Sequence, residues 1–398
     1  AAVKYSIDRY LDPKTGFPAR SYLASLSGVR VVDDHTVDVV TRYPDGLLMN
    51  RLAALVLVVA PRYYSTHDAA RLASHPVGTG PFVFSRWDKG RSLTMKANPR
   101  YWDRGLPEVP RLVFRFIPPE RQVRALLAGK VDLVTDVPGT QTTRVEASRR
   151  ARILKRPVLF TISASFNLAK APLSDPRFRK ALNYAVDKED LIRYDLMGNG
   201  IPSAGIVLKG HHGFEAAPGL DPYAYDLRKA RRLMAEAGVK PGLTLRVLDI
   251  KADRAARIIA ADWRRLGIKA EVHPTDDAHM IADMRRTPAW DLMIGSCPDP
   301  MYHPYFIPYI FLYSSSPFSL TRSTTVDGML DAVARATDPG EQRRRVAAFS
   351  EAVNHEALTL FTYQRIRTYG LAKDLVFEPY LSGMPLFRET HFAPRGTR

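Results

Sequence analysis

The chain has 398 residues, 45% hydrophobic and 25% charged, which excludes a mostly disordered polypeptide and leaves room for two or three domains. Its longest uncharged apolar run, Leu52 to Ala60, falls far short of the about 20 residues that a helix needs to span a bilayer. Lysine and arginine give a net charge of +17, but the densest basic group (Arg149, Arg150, Arg152, Lys155 and Arg156) has no interleaved aromatic to stack on bases, so no nucleic-acid partner is expected.

From the N-terminus, Val3, Ile7 and Tyr10 share one face of a helix that lacks a capping residue. Ala1 to Ile7 also lacks the basic, apolar and small-residue regions of a signal peptide. Val29–Val32 and Thr36–Val40 flank Asp33-Asp34-His35 and predict a hairpin. Gly80–Trp87 and Ser92–Ala97, turning at Lys89-Gly90, predict a second strand pair. Leu112–Ile117, a helix from Glu120 to Ala128 and the short strand Val131–Val134 form a strand–helix–strand unit, the pattern of a parallel α/β layer. Ser174 caps a predicted helix bearing Phe178, Ala181, Leu182 and Ala185, which runs on through Leu191 and Ile192 to Gly198. Asp226 caps another that stops at Gly238. The strand Leu243–Leu248, the helix Asp253–Leu266 and the strand Ile268–Val272 give the second half an α/β character. A long helix from Pro339 to His355 precedes a tail of short strands and turns.

Chemistry-bearing motifs are sparse. The sequence has no His-Glu-x-x-His pair, no Gly-x-Ser-x-Gly elbow and no phosphate loop. Gly78-Thr79-Gly80 lacks the third glycine of a dinucleotide fingerprint. His211-His212 sits between glycines in a loop, where neighbouring side chains do not converge on one ion. The single cysteine, Cys297, excludes internal disulfides and multi-cysteine metal sites. No enzyme, metal site or cofactor is expected. One segment stands out: from Asp299 to Phe318, seven of 20 residues are aromatic, punctuated by prolines 300, 304, 308 and 317. Such a segment is either a buried loop or the wall of a cleft, with Asp299 as a charged anchor at its head.

Four blocks in order carry a resemblance. They are Val77-Gly78-Thr79-Gly80-Pro81-Phe82 with Trp87 and Asn98-Pro99-Arg100-Tyr101-Trp102; Ala125-Leu126-Leu127-Ala128-Gly129 with Asp132; Phe166-Asn167 with Pro172, Asp175, Arg177, Ala181 and Leu182; and Tyr225-Asp226 with Ala230 and Leu233 to Gly238. In these the chain resembles the extracytoplasmic solute-binding proteins of ABC importers, family 5, the peptide, nickel and opine class. The resemblance implies a two-lobed α/β periplasmic-binding-protein-like fold with a two-strand hinge. Lobe I then holds residues 1–163 and returns over 364–398, and lobe II is the insertion 164–363. It also implies that roughly 80–100 family-typical N-terminal residues, including part of lobe I, have no counterpart here.

The same resemblance places the hinge at Phe166 and Asn167 and the ligand between the lobes. Peptide-binding members carry Gly-Trp-x-x-Asp, whose aspartate pairs with the peptide ammonium. The matching positions are Gly295, Ser296, Cys297 and Asp299, and Ser296 replaces the tryptophan. Tyr302, His303, Tyr363 and Arg365 complete the expected ligand set, His303 being the candidate contact for a nickel-type chelate. The implied function is capture of a small peptide-like or other polar ligand and its delivery to a membrane permease by an extracytoplasmic monomer. The alternatives are a ligand-sensing module of a regulator with the same fold, or a nickel-type metal-chelate binder.

Overall fold

The computed structural model describes residues 1–17, 20–211, 213–276, 279–285 and 289–394. The strands in chain order are β1 (Leu26–Val31), β2 (Val37–Thr41), β3 (Phe82–Asp88), β4 (Ser92–Ala97), β5 (Arg111–Arg115), β6 (Leu133–Val134), β7 (Ala151–Phe166), β8 (Gly200–Pro202), β9 (Thr244–Ile250), β10 (Lys269–Pro274), β11 (Leu292–Pro298), β12 (Tyr363–Ala372), β13 (Leu375–Val376) and β14 (His391–Phe392). The strands β7 and β12 organise the rest. In the central sheet the order is β10-β9-β11-β7-β12-β6, with β8 against β12. The first half of β7 pairs with β12, from Ala151 opposite Ala372 to Thr161 opposite Gln364. Its second half pairs with β11, from Phe160 opposite Pro298 to Phe166 opposite Leu292. Two adjacent antiparallel strands therefore stand where the chain is expected to cross between lobes.

Residues of the expected lobe II form most of the main core. The parallel pairs β9–β10 and β9–β11 lie here. Helices Pro176–Tyr184, Leu227–Glu236 and Arg254–Arg264 bury Phe178, Leu182, Met234, Ile259 and Trp263 with Val247, Leu292 and Ile294 of the sheet. The helix expected to run unbroken from Ser174 to Gly198 is two, Pro176–Tyr184 and Lys188–Leu196. Asp175 and Asp187 each accept backbone N–H groups at the new starts, and such aspartate caps favour a fresh N-terminus over a continuous helix. Lobe I is thinner. The sheet β3-β4-β5 packs Phe114 edge-on to Phe387, with ring centroids 5.5 Å apart.

The expected parallel layer over β5 and β6 is not formed. β5 pairs with β4 alone and β6 antiparallel with β12, so they belong to different sheets. A groove of about 510 Å³, lined by Val113, Phe116, Leu133, Phe387 and Phe392, separates them. Among the described residues, no helix is long and apolar enough to cross a membrane.

Candidate functional site

At the crossing, Cys297, Thr161 and Gln364 stand side by side on β11, β7 and β12. Strand alternation then divides the expected ligand residues between two faces of the sheet. On one face, a Cβ at Gly295 would lie 3.2 Å from the Phe311 ring, so the absent side chain lets an aromatic sit on the backbone. Cys297 is buried here, and burial pushes its thiol far above the ordinary range, leaving it an inert small apolar group. Gln364 closes this face, donating to the Val158 and Lys209 carbonyls at 3.1 and 2.8 Å.

Just past β11, Asp299 is 0% exposed. Its backbone N–H donates to Leu159 at 2.7 Å, which ties the loop to β7. Its carboxylate accepts from Met301 N–H at 2.8 Å and His303 N–H at 3.1 Å. His211 takes the remaining place: Leu208 N–H donates to its Nδ1 at 3.0 Å, so its Nε2–H points at Asp299 Oδ2, 2.8 Å away. The expected anchor is thus fully engaged by the chain itself. A ligand ammonium reaches it only if His211 leaves.

His303 is equally committed. Its Nδ1 accepts from Tyr305 N–H at 3.1 Å, its Nε2 faces Gln342 Oε1 at 3.2 Å, and its ring meets Phe214 edge-on at 4.5 Å. Burial lowers its pKa to about 4. With both ring nitrogens occupied, His303 has no lone pair to offer a metal chelate. Among the described residues, no group of three histidine, cysteine, aspartate or glutamate side chains stands close enough to hold a metal ion. His212 lies outside the described residues. Tyr302 has a left-handed backbone, φ 56°, which turns its hydroxyl toward the C-terminal return, where it accepts from Ser382 N–H at 3.3 Å.

The aromatic segment is a buried seam. Helix Phe306–Leu312 stacks Tyr309 on Tyr313 at 4.6 Å, and Tyr22 from the N-terminal region covers Tyr309 at 4.7 Å and Phe306 at 5.6 Å. Arg51 lies over the Tyr305 ring at 5.1 Å, paired with buried Asp45 at 3.1 Å and donating to the Tyr22 carbonyl. Asn50 donates to the Met301 carbonyl at 2.8 Å. Tyr22, Asp45, Arg51 and His211 all escaped the sequence reading as site residues. None sits in a motif; Tyr22 and Arg51 reach the aromatic seam, and His211 reaches Asp299, only through contacts distant in the chain.

Tyr363 and Arg365 lie on the opposite face and do not approach Asp299. Tyr363 donates to Asp195 Oδ2 at 2.5 Å, and Arg365 pairs with Asp136 at 2.7 Å while lying over Phe160. Burial, together with Asp195, holds the Tyr363 hydroxyl far above its usual range. Arg365, Asp136 and Asp195 border a cavity of about 220 Å³ that also takes in Thr140 and Arg254. Ser296, half-buried, shares this face through its partner Ile162. Phe166 and Asn167, the expected hinge pair, sit beyond the crossing: Phe166 faces Leu292, and Asn167 N–H donates to the Asp291 carbonyl.

Comparison with known proteins agrees with this architecture. The structure of AgaA in complex with agropinic acid, from A. tumefaciens R10, is similar with a TM-score of 0.83 at 24% identity, over 98% of this chain and 82% of that one. DppA from Helicobacter pylori in complex with the peptide STSA gives 0.83 at 19% identity, over 98% and 81%. The glutathione-binding protein GsiB of Pectobacterium atrosepticum is 26% identical over 289 residues, 71% of this chain and 56% of the relative. GsiB of Salmonella paratyphi A is 24% identical over 361 residues, 86% and 70%. The chain thus spans little more than half the length of the first of these relatives. The fold is the two-lobed one of periplasmic binding proteins. The family model for bacterial extracellular solute-binding proteins, family 5, middle region, matches residues 1–318, and the chain belongs to that family.

Proposed function

We propose that the chain is the solute receptor of an ABC importer, acting as an extracytoplasmic monomer that closes two lobes over a small peptide-like or other polar ligand and delivers it to a membrane permease. The observation that carries this reading is the pairing of a two-strand crossing with a seam that closes away from it. Residues 20–51 and 299–313 meet through Tyr22, Arg51 and the aromatic helix, and we take β7 and β12 to bend when they part. A ligand that binds the closed arrangement better than the open one shifts that equilibrium, and no bond needs to be made or broken. We place the bending points near Phe160–Thr161 and Tyr363–Gln364, close to the expected lobe limits of 163 and 363.

The ligand class is inferred from the relatives. GsiB is described as glutathione-binding, and the AgaA structure holds agropinic acid. Both suggest a small polar ligand. The test is a thermal-shift panel of dipeptides, glutathione, opine-type conjugates and a nickel–histidine chelate, paired with small-angle scattering. A true ligand at 100 times its Kd stabilises by about 2.7 kcal/mol, a readily measured rise in Tm. That rise should come with a narrower distribution of molecular dimensions. If no panel member, and no compound released from the purified protein on denaturation, raises Tm, the receptor reading fails.

A further inference from the structure

Basic residues that are scattered in the sequence converge in the fold. Residues 86–156 hold 17 lysines and arginines against 7 aspartates and glutamates, a surplus of 10 out of the whole chain's 17. Strand register explains where part of that surplus goes. Val83, Lys96 and Arg111 form one row across β3, β4 and β5; Arg86, Thr94 and Val113 form the next; Asp88, Ser92 and Arg115 the third. Residues in one row project from the same face, so Arg86, Lys96, Arg111 and Arg115 stand together on one side of the sheet. Phe84, Met95, Leu93, Leu112 and Phe114 take the other side, where Phe114 meets Phe387.

The cationic face is exposed, and Arg115 reaches from it to donate to the Lys130 carbonyl at 3.0 Å. Arg86, Lys96, Arg111 and Arg115 are exposed, and Val83 and Val113 between them are 46% and 41% exposed. Its one acidic residue, Asp88, is drawn to Arg91 at 3.7 Å. Lys96 directly opposes Arg111, and like charges facing each other across strands cost stability unless an anion lies between them or over them. An exposed aromatic marks one end of the sheet: Trp102, 74% exposed, lies in the loop after β4.

We propose that the outer face of the β3-β4-β5 sheet docks on an anionic phospholipid surface. An array of cations with short apolar side chains between them and an exposed tryptophan at one end fits the headgroup layer, where charge attracts and amphipathic rings settle. It fits single-stranded nucleic acid poorly, because no aromatic lies among the cations of the face to stack on a base. The family's extracellular setting also places a lipid surface within reach and nucleic acid outside ordinary reach. Docking by this face leaves lobe II free to move and holds the receptor near a membrane transporter between encounters. The inference needs the family membership but not the identity of the ligand.

Co-sedimentation with phosphatidylglycerol-rich vesicles and with pure phosphatidylcholine vesicles tests it. The chain should bind the anionic vesicles, and binding should fall steeply as salt is added. The variant Arg86→Gln, Lys96→Gln, Arg111→Gln, Arg115→Gln should lose roughly 100-fold or more in vesicle affinity, with its circular dichroism and Tm retained. A charge-matched control, Arg228→Gln, Arg231→Gln, Arg232→Gln, Lys240→Gln on the exposed side of the lobe II helix and its exit, should lose only a few-fold. Equal losses in the two variants would mean that total charge, not this face, drives binding. Absence of binding to anionic vesicles, or tighter binding to single-stranded DNA at the same salt, would overturn the proposal. Ligand thermal shifts should be the same for the face variant and the parent, so failure here and failure of the receptor reading are distinguishable.

Discussion

Asp299 illustrates how a motif position acquires its meaning from its surroundings. Its carboxylate has three donors, all from the chain, and none of them is exposed. Asp299→Asn can satisfy some of these, but its amide N–H₂ must then face a donor. Removing a buried charge-assisted hydrogen bond costs about 2 kcal/mol, so the ligand-free variant should melt a few degrees lower. A variant with unchanged Tm and weakened ligand binding would instead make Asp299 a ligand anchor. Its neighbour His303 titrates. Its pKa is lowered in the fold to about 4 from 6.5, so the unfolded chain takes up this proton first as pH falls. The stabilising contribution is complete above about pH 6.5 and is lost as pH drops toward about 4, on the order of 3 kcal/mol in all. Asp262 acts in the opposite sense over an overlapping window, since burial raises its pKa to about 6 and its protonation favours the fold. Comparing Tm against pH for the parent and His303→Gln isolates the histidine: the variant should lose less stability between pH 7 and 4. Parallel curves would place the proton elsewhere.

At the level of elements, legibility tracked locality. The helices Ala2–Leu11, Leu227–Glu236 and Pro339–His355 follow directly from spacing and caps, as do β1 to β5. The two strands that matter most carry no local pattern, and only the resemblance implies a two-strand hinge near residues 163 and 364. β7 runs for 16 residues from Ala151, and its first half is the basic cluster Arg152, Lys155 and Arg156, which reads as solvated surface. Its pairing partner β12 lies some 200 residues away, so no local pattern announces it. The aromatic density after Asp299 was legible, but not what covers it. The cover depends on a tight fit at Gly46, whose N–H donates to the Ala334 carbonyl at 2.7 Å and where a Cβ would overlap the Ala336 carbonyl oxygen. Gly46→Ala should therefore unseat residues 44–51 from lobe II. Expected outcomes are a lower Tm and faster amide exchange at Asn50 and Arg51, with the lobe II core unaffected. Wild-type exchange there would show that the backbone adjusts without cost.

For the molecule as a whole, the groove between β5 and β6 is the exposed weakness. Two strand edges face it unpaired with each other, and Phe116 and Phe392 line it with 49% and 47% of their surface in solvent. Unpaired edges beside apolar side chains invite association between copies. Phe116→Lys with Phe392→Lys should raise the concentration at which light scattering grows on heating, without lowering Tm. Unchanged scattering would assign aggregation to another surface.

The crossing has a further consequence, for the order in which the chain is made. β7 leaves the ribosome about 200 residues before β12, yet its lobe I half pairs with nothing else in the central sheet. During synthesis that half must wait, while the lobe II half can pair with β11 as soon as residue 298 has emerged. Lobe II is thus expected to become protease-resistant on nascent chains that stop near residue 362, with Ala151–Pro157 still cleavable. Protection of Ala151–Pro157 should follow only when Ala372 is free of the exit tunnel. Early protection of Ala151–Pro157 would show that another segment holds its place in the meantime.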